Sequence, residues 1–204
     1  MQSALSIADE NFTYESVIAF LRTGFFEADD AAIDAFDNYI RSAGIRGAKK
    51  YAHPFAICPA GYTAEELLPF NELRERFMEI MLPFYETVTV SVHKKELTVQ
   101  TVTVALQRLL KTCLVEEKLK VRQAYLEKKH LLEKARQYEQ VYSIITDLFD
   151  KLTGILGDEV TDLATYRKIL DAGLDEAKIG IIPPSDDAVI FGDLMRTRLE
   201  HIRF

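Results

Sequence analysis

The sequence predicts a mainly α fold, a multi-helix domain with strand confined to short pieces, and three observations carry that prediction. Apolar residues recur at intervals of three and four over most of the chain, the spacing that gathers them on one helix face. Residues suited to helix N-caps, Thr13, Asp29 or Asp30, and Asp162, stand just before such runs. Proline and glycine, six and nine in 204 residues, cluster instead of interrupting the periodic segments.

Taken in order, Thr13 caps a short helix carrying Tyr14, Val17, Ile18 and Leu21, with Thr23-Gly24 as its stop. Asp29 or Asp30 opens the next, where Ile33, Phe36, Tyr39 and Ile40 share a face and Gly44 occupies the left-handed position after the last turn. An irregular stretch follows between Tyr51 and Tyr62, with His53, Pro54, Pro59 and Gly61. Thr63 and Glu66 have the form of a capping box opening a helix through Leu73, Phe77 and Ile80 to a break near Pro83. Thr87 to Val92 alternates Thr and Val in the manner of a short strand. Helix returns from Thr98 to Cys113 despite its β-branched run, and the clearest period lies between about Val115 and Leu156. There Tyr138, Val141, Tyr142, Ile145, Leu148, Phe149, Leu152 and Ile155 form one apolar stripe, which has to pack on other helices. Asp162 caps a last helix with Leu163, Tyr166, Ile169 and Leu170; Pro183-Pro184 ends helical sequence, and Ala188 to Phe191 reads as a buried strand.

Composition narrows the function. The chain is 48% apolar, enough for a core, and its net charge of -7 argues against a surface that wraps nucleic acid or anionic lipid as a whole. Any contact with nucleic acid is therefore local. Cys58 and Cys113 lack C-x-x-C spacing, so neither a disulfide framework nor a zinc site is expected. With no signal-type start and no apolar run of membrane-span length, the expectation is a cytoplasmic protein without a membrane partner. Charge by block is uneven: residues 111–140 hold eight Lys+Arg against five Asp+Glu, whereas residues 141–204 hold seven against twelve.

Catalytic machinery is not legible. The four histidines lie far apart, and His130 with Glu133 reads as a surface ion pair. Asp29-Asp30 and Asp186-Asp187 read as a cap pair and a polar turn, since neighbouring side chains on a helix point about 100° apart. Neither G-x-x-x-x-G-K-[ST] nor G-x-G-x-x-G occurs, so no glycine loop of those types cradles a nucleotide. No metal or other cofactor is expected for this chain.

Two basic constellations remain. Arg41, Arg46, Lys49 and Lys50 surround Gly44-Ile45-Arg46-Gly47 at a helix end. They compensate the helix dipole, or they contact phosphates from a loop whose glycines allow close approach. Arg196 and Arg198 follow the apolar segment Val189 to Phe191, at the carboxyl end of a strand where open α/β sheets bind ligands; pairing with Asp193 or Glu200 is the competing role.

These constellations and their surroundings resemble the AddB family of bacterial AddAB (RexAB) helicase-nucleases. Phe12 to Lys50 has the family's short helix ending in L-[RK]-T-G before a helix ending in a G-I-R-G turn. ARQYEQV (Ala135 to Val141), ILDAGL (Ile169 to Leu174) and IGIIPPSDDAVIFGDLMRTRL (Ile179 to Leu199) are similar to the same family in the same order. The last block is the most specific, with a double proline, an apolar strand and G-D-x-x-R-[ST]-R-L.

The resemblance implies an inactivated superfamily 1 helicase fold, with residues 1–182 as its helical 2B-like domain and residues 183–204 as the start of a truncated α/β (2A-like) segment. Gly192 to Leu199 then falls on motif V, T-x-H-x-x-K-G, of which only the cation is kept, as Arg198. It also implies DNA and an AddA-like helicase as partners, with the nuclease carboxylates and iron-sulfur cysteines in a later part of such a protein. The expected function is that of a noncatalytic accessory domain of a double-strand-break repair helicase-nuclease, with Arg196, Arg198, Arg46, Lys49 and Lys50 as DNA-contact candidates. A helical protein-protein interaction module, pairing through the 131–156 stripe and without a DNA role, is the alternative.

Overall fold

The structure, a computed structural model, describes residues 1–94 and 96–177. Among the described residues nine helices follow one another: α1 (Gln2–Asp9), α2 (Tyr14–Leu21), α3 (Asp30–Ser42), α4 (Ala48–Tyr51), α5 (Leu67–Lys94), α6 (Val99–Thr112), α7 (Val115–Lys128), α8 (Leu132–Leu156) and α9 (Leu163–Glu176). Extended pairing among these residues amounts to one antiparallel bridge between Thr98 and Val160. The fold is mainly α, as the apolar spacing requires.

Local chemistry sets the helix ends. The Thr13 hydroxyl accepts the Ser16 amide at 3.3 Å, Thr98 accepts Thr101 at 3.2 Å, and the Asp162 carboxylate accepts Thr165 at 2.7 Å. Each bond satisfies an amide that the first turn leaves without a helical partner. At the end of α3, Gly44 takes a φ of +59°; its N–H donates to the Arg41 carbonyl, and the Ile45 N–H donates to the Ile40 carbonyl. This pair of bonds, with Ile40 and Ile45 both buried, is a Schellman closure.

Helix α5 overturns two sequence expectations, the break at Pro83 and the strand over Thr87 to Val92. It runs 28 residues through both, burying Leu67, Phe70, Leu73, Phe77, Met81, Phe84 and Val88 at intervals of three and four. Pro83 lies on the exposed side, where solvent can serve the carbonyl it deprives of a partner. The cost of about 3 kcal/mol is offset by apolar side chains on both sides, each worth about 1.5–3 kcal/mol when fully buried. Over the alternating stretch, Thr87, Thr89 and Ser91 donate their hydroxyls to the carbonyls four residues back at 2.7–2.9 Å. A strand would point Val88, Val90 and Val92 to one face; here Val88 is fully buried while Val90 and Val92 are exposed. The Thr63–Glu66 box forms, with the Thr63 N–H donating to the Glu66 carboxylate at 2.7 Å, but it closes a turn ahead of α5 instead of opening the helix itself.

Aromatic rings fill the amino-terminal half. Phe77 of α5 lies within 6.5 Å, centroid to centroid, of Phe12, Phe20, Phe26 and Tyr51. Tyr39 stacks on Phe70 at 4.7 Å and meets Phe55 and Tyr62. The irregular stretch is thus anchored by its own rings, and the Asn71 side chain accepts from the Phe55 N–H and donates to the Phe55 carbonyl. α6 joins this half to the rest, with α5 packed on one side of it and α7 and α8 on another. There the Thr103 and Tyr166 hydroxyls share a buried hydrogen bond of 2.8 Å.

The period between Val115 and Leu156 is built by two helices. The chain reverses at residues 129–131, where His130 takes a φ of +58° without a glycine or proline to mark it, and α7 and α8 pack as an antiparallel hairpin. The α8 stripe faces α6, α7 and α9 from Tyr138 to Leu152. Ile155 is a correction: it is 78% exposed, because Leu156, four residues on from Leu152, takes the inward position. The segment Val189 to Phe191, the double proline and the boundary at 182/183 lie outside the described residues.

Candidate nucleic-acid interface

The first basic constellation sits on a loop that is held from below. Asn11 and Phe12, between α1 and α2, take φ values of +52° and +54°, a left-handed pair that turns the chain sharply. Asparagine tolerates that region; Phe12 is fixed in it by its buried ring. The turn aims the Asn11 side-chain carbonyl oxygen at the Ala48 N–H (3.1 Å) and the Phe12 backbone carbonyl at the Gly47 N–H (3.2 Å). Tyr85 of α5 donates its hydroxyl to the same Asn11 oxygen at 3.2 Å. Gly47, with a φ of +89°, lets the chain leave the Schellman turn and enter α4, a conformation that a Cβ would strain.

The four cations, Arg41 on α3, Arg46 in the loop and Lys49 and Lys50 on α4, fare differently. Arg41 is spent within the fold: it bonds the Tyr14 hydroxyl, lies 4.5 Å from the centre of that ring, and pairs with the Asp37 carboxylate at 3.2 Å. Lys50 is exposed and donates its ammonium to the Gly44 carbonyl at 2.8 Å, as dipole compensation at the end of α3 predicts. Arg46 and Lys49 are exposed, and neither has an ion pair or side-chain hydrogen bond among the described residues. They offer positive charge beside a glycine-flanked backbone. The sequence pattern found the cations but missed Asn11 and Tyr85, which hold the turn beneath them, and Tyr14 and Asp37, which occupy Arg41; an Asn, which tolerates a left-handed turn, was the available signal.

Arg196 and Arg198 lie outside the described residues. Among the described residues no group of three or more His, Cys, Asp or Glu could hold a metal ion, and no helix is long and apolar enough to cross a membrane. Cys58 is exposed and Cys113 buried.

No family model matches the chain. Among known proteins it is similar to the AddB subunit of the ATP-dependent helicase/deoxyribonuclease of Lachnoclostridium phytofermentans, 37% identical over 207 residues and covering the whole of this chain. The same-named proteins of Alkaliphilus oremlandii and Symbiobacterium thermophilum are each 31% identical, over 98% and 100% of the chain. In each case the chain spans 18% of the relative's length. From end to end, then, the chain belongs with one segment of the AddB family of ATP-dependent helicase/deoxyribonuclease subunits.

Proposed function

We propose that this chain is a noncatalytic accessory segment of a DNA-processing helicase-nuclease, the helical 2B-like part of an AddB-like protein that works with an AddA-like helicase on DNA ends. Its share is to grip the DNA backbone and to pack against the rest of the enzyme. The observation that carries this reading is the loop of Arg46 and Lys49, two exposed cations without partners among the described residues, on a backbone that Asn11 and Phe12 hold in place. Contacts of this kind position nucleic acid without reading its sequence. A net charge of -7 keeps such binding local. Arg198, and beside it Arg196, extend the same role to the degenerate motif V.

The test uses the complete enzyme that carries this segment. Replacing Arg46 and Lys49 together by Ala removes two phosphate contacts and lowers the salt slope for single-stranded DNA by about 1.4. An unchanged slope, with folding intact, assigns both side chains to surface solubility instead.

A further inference from the structure

Helix α7 carries apolar side chains on two faces. Val115, Leu119 and Leu126 are buried. A second row, made of Leu114 and then Val121 and Tyr125, is 50%, 71% and 49% exposed. Arg122 and Lys129 interleave with that row at helical spacing, while Lys118 is committed to the fold, donating to the Phe25 carbonyl at 2.7 Å and pairing with Glu27 at 3.5 Å. Arg122 and Lys129 both lie against the Tyr125 ring, 5.4 and 5.8 Å from its centre. Two acidic side chains of the helix are engaged elsewhere: Glu116 pairs with Lys120 at 2.6 Å, and Glu127 accepts from Gln123 at 3.0 Å. Glu117 stands at the edge of the row.

The row begins at a recess of about 230 Å³ where Leu114 meets Phe25, Phe26 and Ile80; Glu27 and Glu79 also line it, so the basic stretch of the face is the part beyond it, at Arg122 and Lys129. It runs to the turn of the hairpin, where Leu131 and Leu132 are 45% and 55% exposed. At 1.5 Å per residue the track from Leu114 to Lys129 is about 22 Å long, four turns of a partner helix. Residues 121–136 hold five Lys+Arg against two Asp+Glu in a chain of net charge -7.

We propose that this face of α7 docks an acidic amphipathic helix of a partner protein. Leu114 and Val121 gain only when an apolar partner excludes water from them, which a phosphate backbone does not provide. Tyr and Arg are the side chains that concentrate energy at protein interfaces, and Arg122 and Lys129 select for carboxylates along the flank of the incoming helix. The surface is separate from the Arg46 loop and stands or falls apart from it.

The experiment measures fluorescence anisotropy of two synthetic peptides of about three heptads, with Leu at the first and fourth positions, against the 204-residue chain. One peptide carries Glu on its flanks and the other Lys. The acidic peptide binds saturably, at least about tenfold tighter than the basic one. Val121→Asp with Tyr125→Ala weakens it at least about tenfold, and Arg122→Glu with Lys129→Glu reverses the preference. All four side chains are exposed, so circular dichroism and melting of the variants match the parent chain. Equal affinity for the two peptides, or indifference to these substitutions, overturns the proposal. So does tighter binding of a labelled oligothymidine that Arg122→Glu with Lys129→Glu abolishes, which assigns the row to nucleic acid. Concentration-dependent dimerisation lost in Val121→Asp also overturns it, and assigns the row to a second copy of the chain.

Discussion

The Asp162 carboxylate accepts the Thr165 amide at 2.7 Å and the Thr165 hydroxyl at 3.1 Å, and these bonds, the amide first, hold its pKa below the ordinary value of 3.8. A folded value below the unfolded one means that the stabilisation is present above pH 3.8 and is lost as pH falls further, through the folded value. Asp162→Ala therefore costs about 1 kcal/mol at neutral pH, while Asp162→Asn keeps most of the cap. Urea unfolding at pH 7 and in acid checks this: the gap between wild type and Asp162→Ala narrows in acid, and a gap that stays constant assigns the effect to something other than the carboxylate. Asn11 is the second informative residue. Asn11→Ala leaves the Ala48 N–H and the Tyr85 hydroxyl without their acceptor, for a loss of about 1–2 kcal/mol. Faster hydrogen exchange at the Ala48 amide, with the α8 amides unaffected, marks the clamp; unchanged exchange there means that Asn11 does not hold the loop.

At the scale of the element, α5 separates the helical from the extended reading of one stretch. Val88 is fully buried and Val90 is 51% exposed. Val88→Ala accordingly lowers stability by about 1–2 kcal/mol, whereas Val90→Ala stays within about 0.5 kcal/mol. Equal losses at the two positions, measured by denaturant unfolding, contradict the helix. The elements legible in the sequence were those whose ends carry their own chemistry: the hydroxyl of Thr13, the left-handed glycine at 44 and the carboxylate of Asp162. What was illegible depended on distant packing at Pro83 and on local bonds that leave no pattern in the sequence elsewhere. The α5 core on both sides of Pro83 outweighs its missing N–H, and hydroxyl bonds to carbonyls four residues back absorb the Thr and Ser side chains of the alternating stretch. The turn at His130 was hidden because an ordinary residue, not a glycine, takes the positive φ there.

Across the whole molecule, α6 ties an aromatic-rich half to a helical hairpin, and charge is distributed unevenly over both. Cations were easy to find in the sequence, but which of them are committed to the fold was not. Arg41 and Lys50 look like Arg46 and Lys49 in one dimension, and only the positions of Tyr14, Asp37 and the Gly44 carbonyl distinguish them. In the complete enzyme the proposed role has a definite consequence: the segment binds DNA without taking part in chemistry. The decisive measurement compares the enzyme with a variant in which Arg46, Lys49 and Arg198 are Ala, following DNA affinity over a salt series and ATP hydrolysis at saturating DNA. The expected result is a salt slope lower by about 2 for single-stranded DNA, with the saturated hydrolysis rate unchanged. An unchanged slope together with a fallen rate contradicts a role in gripping DNA.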